Sequence, residues 1–191
     1  MKTGRKNNNS GFSLVELIIV IAIMAVLVGV MATSITSLTG RRVRKCADEI
    51  VTTLERTRVL TLGKEQNQVE CVISYDTDKK EYKAQILQGG TVVTDRTLGK
   101  DPIKIAVYFE GNSTEYLLTD LMGSDSLLPY VSASKGLHLV FNRASGAFEK
   151  NTSTLTGGST DMGYCQKIVV SNGTRTIEIT TVGKTGKILT K

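Results

Sequence analysis

Residues that bind metals or act as nucleophiles are scarce in this chain. Its 191 residues include one histidine, His138, and three cysteines, Cys46, Cys71 and Cys165, with no Cys-x-x-Cys pair. A structural zinc site takes four Cys or His ligands, usually in closely spaced pairs, so the sequence argues against one. No nucleophile with a neighbouring base is recognisable around His138. We therefore predict neither an enzymatic activity nor a cofactor.

Charge is absent from one long stretch of the chain. No charged residue occurs between Leu17 and Gly40, and the first proline is Pro102. The apolar run at residues 12–38 exceeds the roughly 20 residues that span a bilayer, and no proline breaks it. It is longer than the apolar core of a secretory signal, about 7–15 residues, and it holds a carboxylate, Glu16, near its start. We predict a transmembrane helix here.

The excess of positive charge is modest. The chain has 24 basic and 18 acidic side chains, a formal net charge of +6. Three of the basic residues, Lys2, Arg5 and Lys6, lie in the first eleven residues, so the remainder carries +3. An excess this small indicates a mildly basic surface and does not by itself predict binding to nucleic acid.

The helix is predicted to continue beyond the apolar run, to about residue 62, where Gly63 provides a stop signal. Apolar or small residues recur at spacings of three and four on one helical face. They are Val43, Cys46, Ala47, Ile50, Val51, Leu54 and Thr57. The first half of the helix is apolar on all sides, whereas the second half has one apolar stripe, so we expect the second half to pack on a domain.

After Gly63 the pattern predicts about eight β-strands. Residues of alternating polarity at 69–74, 81–88, 103–109 and 164–182 are separated by turn signals at 76–80, Gly89-Gly90 and Asn172-Gly173. Residues 116–122 are predicted as a short helix and 151–163 as a loop. Asp76 and Asp78 are interpreted as turn residues rather than metal ligands.

The most informative segment is Gly11-Phe12-Ser13-Leu14-Val15-Glu16. It resembles the processing motif of type IV prepilins and type II secretion pseudopilins, in which a basic leader and Gly precede Phe and, at the fifth position after the cut, Glu. The resemblance implies cleavage between Gly11 and Phe12 and N-methylation of Phe12 by a prepilin peptidase/methylase. It also implies partners: other pilin or pseudopilin subunits, an assembly-platform membrane protein and the lipid bilayer.

Glu16 is the predicted assembly residue. A carboxylate within a membrane helix costs on the order of 3 kcal/mol, so it requires a partner. Cleavage after Gly11 would create an amine on Phe12, one helical turn from Glu16, and a neighbouring subunit would present the same amine. In the family that the chain resembles, this glutamate guides docking into the growing filament.

The C-terminal half is similar to the GspH/FimT-like minor pseudopilins. The matching features are Leu139-Val140-Phe141 with Gly146, Ile168-Val169-Val170, Ile177-Glu178-Ile179 and Gly186-Lys187-Ile188. The resemblance implies an α+β, type IV pilin-like fold: one long N-terminal helix packed on an antiparallel β-sheet domain. We divide the chain into a cleaved basic leader (1–11), a transmembrane and assembly segment (12–40), an amphipathic helical segment (41–63) and an extracytoplasmic β-rich domain (64–191).

Orientation in the membrane is not settled by charge alone. Lys2, Arg5 and Lys6 favour a cytoplasmic leader, but the basic residues 41, 42, 44 and 45 just beyond the apolar run oppose it. The resemblance implies a single-pass protein of the cytoplasmic (inner) membrane, with the leader inside and the domain outside, that later joins a filament.

The function expected from these features is that of a minor pilin or pseudopilin subunit. An alternative is a DNA-binding or adhesive subunit at the tip of a competence or adhesion pilus. Arg175, Lys184, Lys187 and Lys191 make the C-terminal end basic and would provide weak anion contacts. A solvated basic face explains the same residues. We interpret the three cysteines as small apolar residues at packed faces, although Cys71 and Cys165 would be able to bridge outside the cell.

Overall fold

A computed structural model describes residues 13–63, 68–111, 113–121, 136–153 and 160–191. The chain divides into two compact units, Met1–Leu38 and Thr39–Lys191. Helix α1 (Leu14–Leu62) contributes residues to both units, and antiparallel sheets make up most of the second. The fold is therefore α+β and pilin-like, as predicted.

Helix α1 ends where the sequence predicted. The amide of Gly63 donates to the carbonyls of Val59 (2.9 Å) and Leu60 (3.2 Å), which closes the last turn. The predicted stripe is buried, with Val43, Ile50 and Leu54 all at 0% exposure, except that Val51 is only partly buried. The stripe of the second half is thus part of the core.

Threonine hydroxyls complete the buried stripe of α1: Thr57 was predicted to belong to it, whereas Thr53 and Thr61 were not. Thr53, Thr57 and Thr61 are buried, and each hydroxyl donates to the carbonyl four residues earlier, at 2.7–2.9 Å. Because these hydroxyls are satisfied within the helix, they can be buried at little cost. Nearby, the Arg58 guanidinium donates to the carbonyls of Gly146 and Thr185, both at 3.0 Å, which ties the helix to two turns.

The described residues form eleven strands and a short second helix, rather than about eight strands. Their bounds are β1 (Val69–Asp76), β2 (Glu81–Gln88), β3 (Thr91–Lys100), β4 (Lys104–Phe109), β5 (Tyr116–Leu117), α2 (Leu118–Leu121), β6 (Leu137–Val140), β7 (Asn151–Ser153), β8 (Thr160–Gly163), β9 (Cys165–Ser171), β10 (Thr176–Val182) and β11 (Lys187–Thr190).

Two larger sheets make up most of the β-structure. The first has the order β3-β2-β1-β6, and the second has the order β11-β10-β9-β4-β5. The predicted hairpins are confirmed: Gly89 (φ 57°) and Gly90 (φ 81°) connect β2 to β3 in a tight turn, which requires positive φ. At the β9–β10 turn, the Asn172 side-chain oxygen accepts from the amides of Thr174 and Arg175 at 3.0 and 2.8 Å.

Three local predictions were wrong or incomplete. Residues 151–163 were predicted as a loop, but their described ends pair as β7 and β8. The predicted helix at 116–122 is divided, since Tyr116–Leu117 pairs with β4 and the helix covers only Leu118–Leu121. In β1 the predicted alternation does not determine burial, because every residue from Val69 to Ile73 is buried. In each case pairing or packing between distant residues overrides the local pattern.

One core cluster contains the α1 stripe together with buried residues of both larger sheets. It includes Ile50 and Leu54 from α1, Ile73 from the first sheet, and Ile105 and Ile168 from the second. Phe141 and Phe148 flank the turn at residues 143–146, and their ring centroids lie 4.4 Å apart. The second half of α1 therefore cannot be removed without uncovering both sheets.

Candidate functional site

The predicted processing site is only partly within the described residues. Gly11 and Phe12 lie outside them. Ser13 precedes α1 and accepts a backbone hydrogen bond from the Leu17 amide at 3.1 Å. Glu16 lies in the first turn of the helix and is exposed. A carboxylate in the first turn interacts favourably with the helix dipole, so Glu16 suits the start of a helix as well as an assembly role.

The helix around Glu16 exposes apolar side chains on all sides. Every large apolar residue from Leu14 to Val30 is between 48% and 74% exposed. They are Leu14, Val15, Leu17, Ile18, Ile19, Val20, Ile21, Ile23, Met24, Val26, Leu27, Val28 and Val30. Exposed apolar surfaces of this extent mark sites of contact with a partner or a membrane. Counted over the described residues alone, no helix is both long and apolar enough to cross a membrane.

A basic cluster opens the second unit. Arg41, Arg42, Arg44 and Lys45 follow the uncharged stretch directly, and all four are exposed. The guanidinium of Arg44 lies 3.8 Å from the carboxylate of Asp48. Within the part of the chain that the structure describes, the other three form no ion pair, so their charge is available to an external group.

The three thiols are buried and poorly reactive. Cys46, Cys71 and Cys165 are unbonded to one another and belong to the core cluster. Burial in apolar surroundings raises the pKa of each thiol from an ordinary value of 9.0 to about 12. Because the thiolate is the nucleophile, all three are suited to packing rather than to reaction, as the sequence predicted.

A buried polar pair was missed by the sequence analysis. The Nδ1 atom of His138 lies 3.0 Å from a carboxylate oxygen of Glu70, and both residues are buried. The pair joins two adjacent strands, since Glu70 lies on β1 and His138 on β6. The alternation of residues 69–74 predicts Glu70 on the polar face of its strand, opposite Val69, Cys71 and Ile73. The available signal was that His138 lies within an otherwise apolar strand, Leu137–Val140, which predicts burial on both faces.

The acidic turn at Asp76 is explained by its backbone contacts. One carboxylate oxygen of Asp76 accepts from the amides of Asp78 (3.1 Å) and Lys79 (3.0 Å). The hydrogen bond from the Lys79 amide lowers the pKa of Asp76. The Lys83 ammonium, at 3.2 Å, lowers it further. Among the described residues, no three His, Cys, Asp or Glu side chains are grouped to hold a metal.

The basic residues of the C-terminal end do not form one patch. Lys184 and Lys187 lie around the β10–β11 turn, whereas Arg175 precedes the opposite end of β10. Lys191 lies opposite Glu178, with which it exchanges two backbone hydrogen bonds. The Arg175 side chain instead lies over Gly40 of α1, where an added Cβ would be 3.4 Å from its guanidinium. All four side chains are exposed.

Comparison with known proteins gives one match. A family model described as the prokaryotic N-terminal methylation motif matches residues 6–32. No curated protein and no solved structure matches the chain significantly. The matched residues contain the Gly11-Phe12 junction, Glu16 and most of the apolar run. They show a type IV prepilin-like signal at the N-terminus, which supports a type IV pilin-like or pseudopilin precursor.

Proposed function

We propose that the chain is a minor pilin or pseudopilin subunit, assembled through its N-terminal helix into a type IV pilus or a type II secretion pseudopilus. The observation that carries this proposal is a helix that exposes apolar side chains on all sides from Leu14 to Val30, with one carboxylate, Glu16, near its start. A surface of this kind needs a bilayer before assembly and neighbouring helices after it.

Glu16 is the proposed docking residue. A carboxylate surrounded by apolar side chains is tolerated in a dry filament core only when it pairs with a cation. Cleavage after Gly11 would supply one, the amine of Phe12, either on the same chain or on a neighbouring subunit. N-methylation of Phe12 by the processing enzyme keeps this amine charged.

Localisation follows from the same segment. Residues 12–40 would anchor the protein in the cytoplasmic membrane, with the leader 1–11 inside and residues 64–191 outside. The proposed partners are other pilin or pseudopilin subunits, the prepilin peptidase/methylase and an assembly-platform protein. The GspH/FimT-like assignment is supported by the closing strands, since β9, β10 and β11 pair consecutively and Gly186 turns the chain with a φ of 66°.

Processing is tested by the mass and N-terminal sequence of the protein expressed with a prepilin peptidase. We expect a mature chain that begins with N-methylated Phe12, and full-length precursor when Gly11 is replaced with Leu, because a bulky side chain would block the narrow protease site. An intact Met1 in the wild-type protein, or a cut beyond the apolar run, would refute the proposal.

Assembly is tested with Glu16→Val expressed beside the partner pilins. Insertion should be unchanged or better, because one intramembrane charge is removed. Recovery in sheared filaments should fall at least roughly tenfold, since breaking a buried ion pair costs about 3–5 kcal/mol. Glu55→Val, which removes an exposed carboxylate of the second half of α1, is the matched control. Equal recovery of all three chains would show that Glu16 is not the docking residue.

A further inference from the structure

The second unit has a cavity whose charged lining is entirely basic. This cavity, of about 420 Å³, is lined by Arg42 and Lys45 of α1 and by Lys100 at the end of β3. Its remaining lining is Thr97, Leu98, Gly99 and Ile103, of which Leu98 and Ile103 are buried apolar residues. We refer to it as the basic cavity. Cationic groups over an apolar floor suit a ligand that is anionic at one end and apolar at the other.

A second groove on the same helix provides a contrast. It has a volume of about 300 Å³, and it is lined by Arg41, Arg44, Lys45, Asp48, Glu49 and Thr52, so Lys45 borders both cavities. Those carboxylates are engaged, since Asp48 lies 3.8 Å from Arg44 and Glu49 lies 3.3 Å from Arg96. The charged lining of this groove is therefore mixed, since Asp48 and Glu49 lie beside Arg41 and Lys45, which form no ion pair with any described residue. Its carboxylates would repel an anion, whereas the basic cavity has no carboxylate in its lining.

The charged residues that line the basic cavity are all cations. Lys100 lies 3.2 Å from the largely buried carboxylate of Glu81. Arg42 and Lys45 form no ion pair with any residue that the structure describes. At least two positive charges therefore remain for a ligand. The Arg42 guanidinium is suited to a phosphate because its planar fork donates two parallel hydrogen bonds.

The position of the cavity in the sequence indicates the source of the anion. The uncharged stretch ends at Gly40, and Arg42 is the second residue after it. A headgroup layer is about 5–7 Å thick on each side of the hydrocarbon core, and residues 41–45 advance about 7 Å along a helix. A helix that crosses the membrane with residues 12–40 would therefore place Arg42 and Lys45 among headgroups.

We propose that the basic cavity binds the phosphate of an anionic phospholipid in the leaflet that faces the globular domain. This inference rests on the membrane insertion proposed above. Arg42 and Lys45 contact the phosphate, and Leu98 and Ile103 contact the glycerol end of the acyl chains. Such binding also explains why basic residues follow the apolar run on the side that the positive-inside rule disfavours.

The test uses the full chain reconstituted into phosphatidylcholine vesicles that contain a trace of spin-labelled lipid. Electron spin resonance measures how strongly labelled phosphatidylglycerol and labelled phosphatidylcholine associate with the protein. We expect phosphatidylglycerol to be favoured roughly fivefold, which is the contribution of one basic residue near an anionic surface. The preference should disappear in R42Q/K45Q and persist in R56Q/R143Q, which removes two exposed charges elsewhere.

The outcomes separate this inference from the proposed function. A wild-type chain that does not float with the vesicles would contradict membrane insertion itself. Insertion without a lipid preference, or an equal loss of preference in both double variants, would overturn the lipid site alone. Displacement of the labelled lipid by millimolar inorganic phosphate or by short DNA would also overturn it, because the cavity would then recognise a soluble anion.

Discussion

The two halves of helix α1 contain the same kinds of apolar residue and bury them to very different extents. Ile21 and Ile23 in the first unit are each 56% exposed, whereas Ile50 in the second unit is 0% exposed. Burying one such side chain contributes about 1.5–3 kcal/mol. The second half gains this stabilisation from its own chain, and the first half can gain it only from another molecule or a membrane.

This difference separates the part of α1 that supports the fold from the part that the proposed assembly would use. The buried stripe around Ile50 is part of the core of the second unit, so its residues are constrained by packing. The large apolar residues from Leu14 to Val30 are exposed and have no such constraint among the described residues. Substitutions in the two halves should therefore have different effects, and each prediction below tests that separation.

The largest effect is expected from truncation. A chain that begins at Thr39 keeps the whole second unit, so we expect a soluble monomer that unfolds cooperatively in urea. A chain that begins at residue 64 lacks the stripe and should lose cooperative unfolding, because the core residues of both sheets become uncovered. Size-exclusion chromatography and circular dichroism measure both. Equal folding of the two chains would mean that α1 is not part of the core.

Much of the second unit was predictable because its hairpins are determined locally. The bounds of β2 were predicted to the residue, since the Asp76 side chain and the Gly89-Gly90 pair direct the turns on either side of it. The β9–β10 hairpin was predicted for the same reason, from Asn172. The buried stripe of α1 followed from helical periodicity, which needs no knowledge of what covers it.

The features that were missed depend on residues far apart in the sequence. The pairing of β1 with β6 joins residues about seventy positions apart, and it brings Glu70 to His138. No local pattern contains that information, so Glu70 was expected on a polar face. Prediction of the candidate site is limited for a different reason. The Gly11-Phe12 motif is recognisable in the sequence, but its proposed role depends on a processing enzyme and on partner subunits.

The next largest effect compares one isoleucine from each half of the helix. Ile50→Ala should destabilise the second unit by about 2–5 kcal/mol, because it leaves a cavity in a close-packed core. Ile23→Ala should leave that stability unchanged, since Ile23 is exposed within the chain. Urea unfolding of the full chain in mild detergent measures both. Similar losses from the two variants would show that the first half also supports the fold.

A smaller effect is expected when one carboxylate from each unit is compared, Glu70 from the second unit and Glu16 from the first. Glu70→Ala should destabilise the second unit by about 1–3 kcal/mol, because it leaves the buried His138 ring without one of its partners. Glu16→Ala should not change this stability, since Glu16 is exposed and belongs to the first unit. The same unfolding assay applies. A Glu70→Ala variant as stable as the wild type would mean that the buried pair contributes only to strand register.

The last prediction concerns the burial of the second half of α1 against the sheets, and it is tested without a destabilising substitution. Cys46 lies on the buried stripe, and burial raises its pKa to about 12, whereas an exposed thiol titrates near 9.0. The matched control is Arg44→Cys, which places a thiol two residues away on the exposed side of the same turns.

At pH 9 the thiolate fraction of Cys46 should be about 500-fold lower than that of the control, so alkylation by iodoacetamide should be slower by at least this factor. Raising the pH from 8 to 10 should accelerate the control about tenfold through its ordinary pKa while Cys46 stays nearly unmodified. Peptide mass spectrometry distinguishes the sites within one sample. Comparable rates at Cys46 and at the introduced thiol would mean that the helix leaves the sheets on the timescale of the reaction, and the contrast between the two halves of α1 would then be one of degree only.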